Sequence, residues 1–192
     1  MKKLLAKLLI LATLAITIPA FAAEDENILV IEVAGANTGI IEIELLPELA
    51  PNHVARIKEL ATSSAYDDVV FHRVIEGFMA QTGDVEFGTR ELFGKGRAGM
   101  GGSPLPDLKQ EFSDEPHVEG IVSMARSQNP DSANSQFFIV FDDATFLDNQ
   151  YTVFGRVISG MDVVHKIKKG TGQNGAVSDP DYMKSVTIKS DS

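Results

Sequence analysis

The chain has 192 residues, 44% of them hydrophobic and 23% charged, with 16 glycines and 8 prolines, which suits one folded domain or at most two small ones. Its formal net charge is −10; without Lys2, Lys3 and Lys7 of the N-terminal segment, 14 basic residues face 27 acidic ones for a net −13, a balance that argues against nucleic-acid or anionic-lipid partners. No cysteine is present, which removes disulfides, thiolate nucleophiles and cysteine-ligated metals together.

The first residues read as an address. Lys2 and Lys3 form a basic start, Leu8–Ile18 is an apolar run, and Pro19 precedes Ala20-Phe21-Ala22, a small-residue cleavage pattern. The run is shorter than the roughly 20 apolar residues a membrane span needs. Residues 1–22 are therefore expected to be a cleaved Sec signal peptide, with 23–192 the mature domain. A periplasmic location, with no membrane attachment after cleavage, follows as an expectation.

Alternating apolar residues then dominate. Ile28–Val33, Ile40–Leu46, Val69–Val74, Phe78–Thr82, Ile121–Ala125, Gln136–Phe141, Thr152–Ile158 and Ser185–Lys189 read as strands. Two segments have helical spacing instead. Pro51–Thr62 places Val54, Ile57, Leu60 and Ala61 on one face behind a first-turn proline. Met161–Lys169 places Met161, Val164 and Ile167 on one face, with Ser159 and Asp162 as a capping box and Gly170 as a stop. The expected fold is mainly β, a closed eight-stranded antiparallel β-barrel capped by two α-helices. Closure would remove exposed strand edges.

Several catalytic patterns fail. Gly94–Gly99 matches G-x-G-x-x-G, but Gly101-Gly102-Ser103-Pro104 follows where a helix should open. His53, His72, His117 and His165 have no metal-ligand spacing. No G-x-S-x-G elbow supports a hydrolase. Asp67-Asp68 and Asp142-Asp143 fall at turns.

One arginine among apolar and amide side chains remains: FHRVIEGFMAQTGD, Phe71–Asp84. It is followed by Gly120–Ala125, Asn134–Ile139, Phe146-Leu147-Asp148 and Val153–Val157. These blocks, in order and spacing, resemble the cyclophilins, and the resemblance runs from about Val30 onward. It implies a peptidyl-prolyl cis–trans isomerase that assists folding and acts on proline-containing unfolded or partly folded polypeptides. Rotation breaks no bond, so no cofactor or metal is expected, and a lone domain is expected to be a monomer. By the same resemblance Arg73 and Gln81 are catalytic. Phe78, Met79, Phe138 and Leu147 form the proline pocket, while Ala125, Arg126, Gln136, Phe146, Tyr151 and His72 line the substrate groove. Taken singly, the apolar members are also what a barrel core contains, and His72 suits a structural histidine.

Three positions depart from the best-known eukaryotic members. Phe146 stands where they often have Trp and lacks the indole donor, so weak binding of cyclosporin is expected. Tyr151 replaces a pocket histidine, and Arg126 replaces a small amide. All three resemble the bacterial branch. The alternative to an enzyme is a proline-recognising binding module using the same groove, but a pure binder has no need of Arg73.

Overall fold

The structure, a computed structural model, describes residues 25–189. The expected signal peptide, 1–22, lies outside the described residues. In chain order the elements are β1 (Ile28–Ala34), β2 (Gly39–Leu45), α1 (Pro51–Thr62), β3 (Val69–Val70), β4 (Arg73–Ile75), β5 (Met79–Thr82), β6 (Ile121–Met124), β7 (Phe137–Val140), β8 (Val153–Ser159), α2 (Met161–Lys166) and β9 (Tyr182–Ile188). One antiparallel sheet holds all nine strands in the order β3-β9-β1-β2-β8-β6-β7-β5-β4.

This corrects the expected closed eight-stranded barrel. The sheet has nine strands and curls without closing, because β3 and β4 stand at its two ends and share no ladder. The cause lies in the run Val69–Val74, which alternates like one strand. Its middle pair leaves the ladder. The Phe71 N–H donates to the Asp181 carbonyl at 2.9 Å, and the His72 carbonyl accepts from the Val177 N–H at 3.1 Å. The run is thereby split into one end paired with β9 and another paired with β5. Register shifts at Glu32/Val33, Glu42/Ile43 and Val122/Ser123 bend the sheet, as bulges do by adding local twist.

The concave face holds the main core. Alternate residues Leu29, Ile31 and Val33 of β1, Ile41, Ile43 and Leu45 of β2, and Phe137 and Ile139 of β7 are buried there. The Phe137 ring meets Tyr66 and Phe154 edge-on, with centroids 5.7 and 5.9 Å away. Helix α1 adds Val54, Ile57, Leu60 and Ala61 to this core, as its spacing predicts. Its first amides have no local cap. Glu111, far along the chain, accepts from the Asn52 N–H at 3.1 Å, the His53 N–H at 3.2 Å and His53 Nδ1 at 2.6 Å. This satisfies orphan donors and places negative charge at the helix N-terminus.

Helix α2 differs from its expected form. Ser159 is the last residue of β8, and no side chain caps the helix; Gly160 stands at the cap with φ of 87°. A Cβ there would strike the Ile40 carbonyl, so the tight strand-to-helix turn needs glycine. Asp162 pairs with Lys166 at 2.8 Å instead of closing a capping box. Ile167 turns extended, ending the helix at Lys166 rather than at Gly170. Among the described residues no helix is long and apolar enough to cross a membrane.

Candidate functional site

Strands β6 and β7 are buried on both faces. A strand sends successive side chains to opposite sides, so Phe137 and Ile139 enter the main core while Phe138 and Val140 enter a second cluster. Leu46, Met79, Ile121, Ala144, Leu147 and Val153 complete that cluster, and Phe78, Ala125 and Tyr151 are among those packed on its margin. Met79, Phe138 and Leu147 therefore lie outside the main core.

The second cluster floors a pocket of about 250 Å³ lined by Arg73, Phe78, Met79, Gln81, Ala125, Arg126, Phe138, Phe146, Leu147 and Tyr151. All ten are residues that the sequence nominates. Cross-strand register assembles one row: Arg73 opposite Gln81, Gln81 opposite Phe138, and Phe138 opposite Ser123. A short 3-10 turn, Thr145–Leu147, supplies Phe146 and Leu147. Phe146 is 64% exposed and leans on Phe78 with centroids 5.4 Å apart, forming a lip. Tyr151 meets Phe138 edge-on at 5.7 Å. The volume is below the ~300–1,000 Å³ typical of drug-sized ligands and suits a single residue of a longer chain.

Arg73 is held by its neighbours. Its Nε donates to the Asn174 carbonyl at 2.9 Å and its Nη1 to Gln81 Oε1 at 3.1 Å. Nη2 has no partner among the described residues, so its donors remain free. Partial burial lowers the guanidinium's pKa, but arginine stays charged. The chain of bonds continues: Gln81 Nε2 donates to Gln136 Oε1 at 3.0 Å, and Gln136 Nε2 donates to the Gly101 carbonyl at 2.8 Å. No sequence pattern marks Asn174, because its carbonyl reaches Arg73 only through the fold.

Gln136 lines an adjoining pocket of about 460 Å³, which shares Gln81, Ala125 and Arg126 with the first. One wall is the glycine-rich segment Gly99–Ser103. It wraps around Asp84, whose buried carboxylate accepts backbone N–H bonds from Glu86, Phe87, Gly99 and Gly101 at 3.1, 2.9, 2.7 and 3.0 Å. These glycines thus surround a protein carboxylate, and a Cβ on Gly101 would press on it. No local pattern marks this role of Asp84, because the glycine-rich run begins ten residues later, at Gly94.

With this geometry in place, the sequence matches the family described as cyclophilin type peptidyl-prolyl cis-trans isomerase/CLD over residues 28–190. The chain belongs to the cyclophilin-type peptidyl-prolyl cis-trans isomerases. It is 57% identical over 174 residues to a protein of Brucella suis biovar 1 (strain 1330) named "Probable peptidyl-prolyl cis-trans isomerase", covering 90% of this chain and 87% of the relative. It is 32% identical over 188 residues to peptidyl-prolyl cis-trans isomerase A of Dickeya dadantii (strain 3937), with the same coverage. Among solved structures, cyclophilin AquaCyp293 from Hirschia baltica superposes with a TM-score of 0.70 at 28% identity, covering 86% of this chain and 75% of that one. A Cryptosporidium parvum cyclophilin superposes at 0.73 over 86% and 99%, and at 23% identity it attests the fold. The protein is accordingly an enzyme that isomerises peptide bonds preceding proline in proline-containing peptides and assists folding.

Two histidines of this cyclophilin stand apart from the pockets. His72 lines neither. It is buried behind Arg73, against Gly99, and neither ring nitrogen has a partner among the described residues. Burial pushes its pKa down from 6.5 to about 4. Between those values the unfolded chain takes up a proton that the folded chain refuses. This contribution to stability is therefore intact above about pH 6.5 and is lost as pH falls toward 4, amounting to ~3 kcal/mol. Urea unfolding at pH 7 and pH 4.5 should show a larger loss for wild type than for His72→Gln, by roughly 2–3 kcal/mol. Equal losses in the two proteins would refute this.

His117 joins a Ser–His–Asp constellation. Its Nδ1 donates to Asp148 Oδ1 at 2.9 Å, and Ser123 Oγ lies 2.9 Å from its Nε2. This arrangement activates a nucleophile where substrate can reach the serine. Here Ser123 and His117 are fully buried and line neither pocket. The His117 ring instead stacks behind Phe138, with centroids 6.4 Å apart, and braces that wall of the pocket.

Proposed function

We propose that this cyclophilin isomerises X–Pro bonds of exported polypeptides in the periplasm, as a monomer, with Arg73 as its catalytic group. One observation carries the catalytic assignment: a fixed guanidinium, its Nη2 donors free among the described residues, on the wall of a pocket floored by Met79, Phe138 and Leu147.

Rotation about a peptide bond meets a barrier of ~18–20 kcal/mol because amide resonance is lost. In the twisted state the proline nitrogen becomes pyramidal and regains a lone pair. A donor aimed there binds the twisted state more strongly than the planar one, which is the requirement for catalysis. Phe78, Met79, Phe138 and Leu147 grip the proline ring, with Phe146 and Tyr151 as outer walls. Gln81, steadied by Gln136, positions Arg73, while Ala125 and Arg126 line the groove for flanking backbone. His72 is a packing residue in this reading. Every step uses protein donors alone.

The export reading rests on the basic, apolar and small-residue pattern of residues 1–22 and on kinship with bacterial proteins. N-terminal sequencing of protein recovered from the periplasmic fraction should begin at Ala23. A chain still starting at Met1, or one retained in the cytoplasm, would refute it. The activity itself is tested by a protease-coupled or NMR exchange assay on a proline-containing peptide.

A further inference from the structure

Among the described residues Arg126 is the one charged residue that lines both pockets, Arg73 lining only the first. It follows β6 and sits where the two pockets meet. Its Nε and Nη2 donate to the Gln150 carbonyl at 3.0 and 2.8 Å, and its Nη1 donates to the Ser127 and Gln128 carbonyls at 2.9 and 3.4 Å. The guanidinium lies over the Tyr151 ring, 4.5 Å from its centroid. It is thus held in one place before any ligand arrives.

Every one of these partners is neutral. Among the described residues neither Arg126 nor Arg73 forms an ion pair, although Arg90 and Arg156 do. This is notable in a chain with 27 acidic and 17 basic residues. Among the described residues the only carboxylate on either pocket lining is Asp107, which is exposed and takes a bond from Asn134 Nδ2 at 3.0 Å. Two positive charges therefore flank the groove with no acid paired to either.

We infer that Arg126 selects substrates carrying an acidic residue within two positions of the proline, and disfavours lysine or arginine there. The inference rests on the proposed reading of the first pocket as the proline site. A chain seated there must pass the shared wall of Gln81, Ala125 and Arg126 to enter the adjoining pocket. A carboxylate on that stretch meets a preorganised guanidinium with a free Nη2 hydrogen. A lysine meets an unneutralised like charge. For a half-exposed pair the preference should be about three- to fivefold at each substitution of charge.

The test uses NMR exchange on peptides with Ala at every position flanking one proline, and on variants with Glu or Lys scanned from two residues before the proline to two after. Wild type should accelerate the all-Ala peptide and, at one or more positions, act on Glu peptides about three- to fivefold faster than on Ala and slower still on Lys. Arg126→Gln should collapse the Glu-to-Lys ratio whatever its absolute rate. Arg126→Lys should preserve the ratio, and Arg126→Glu should invert it. Failure of wild type to act on the all-Ala peptide would overturn both the proposed reading and this inference. Activity on that peptide with no Glu preference, or with a ratio unchanged in Arg126→Gln, would overturn the inference alone.

Discussion

Arg73→Ala should lower kcat/KM for a proline-containing peptide by about 10²- to 10³-fold, which corresponds to roughly 3–4 kcal/mol of lost transition-state stabilisation. The guanidinium is anchored through Nε to the Asn174 carbonyl and through Nη1 to Gln81, so it reaches the reacting bond without reorganising. Arg73→Lys should fall nearly as far. An ammonium keeps the charge but lacks the planar fork that satisfies both anchors while presenting a further donor. The fold should tolerate either change, because Arg73 is only half-buried and forms no ion pair among the described residues. The deciding measurement is the exchange rate alongside a urea-unfolding curve. An unchanged rate in folded Arg73→Ala would refute the catalytic assignment and favour the binding-module reading.

The second large effect is on stability. Asp84→Ala should cost about 4 kcal/mol and lower the melting temperature by roughly 8–16 °C for a domain of this size. Four backbone N–H groups end on this one carboxylate, which has no exposed surface. Removing it leaves part-buried donors without acceptors, and alanine leaves a void beside them. Asp84→Asn should be nearly as damaging, since the amide nitrogen would meet N–H groups with its own hydrogens. Function should suffer too. The Gly101 carbonyl that holds Gln136 belongs to the segment Asp84 gathers, and Gln136 holds Gln81, which holds Arg73. Below the melting transition kcat/KM should drop several-fold, with calorimetry and the exchange assay run on the same samples. A variant as stable as wild type would show that the loop does not depend on Asp84.

Much of the site was legible because its chemistry is local. FHRVIEGFMAQTGD encodes β4, a turn and β5, and the pairing of Arg73 with Gln81 follows from a tight antiparallel connection. The apolar members were joined into one pocket by the family resemblance, not by their own spacing. Phe137 and Phe138 look alike in sequence, and strand periodicity alone leaves open which face receives a second layer. The structure separates them, one into the main core and one into the pocket floor. The resemblance places His72 in the groove, whereas in the fold it is buried and lines neither pocket.

Short-range periodicity determined the helix Pro51–Thr62 and most strand runs, because side-chain spacing along a helix or strand is a property of the local chain, while the family was legible through the resemblance of its motif blocks. Tertiary structure decided the rest. The open nine-stranded sheet arises because Phe71 and His72 bond to the segment around Val177–Asp181, a choice made more than 100 residues away. Glu111 at the start of α1, Asn174 on Arg73 and Asp84 within the glycine-rich segment are likewise long-range acceptors. Hydrogen-bond partners distant in sequence leave no periodic trace, so only the folded chain reveals what holds Arg73 in place.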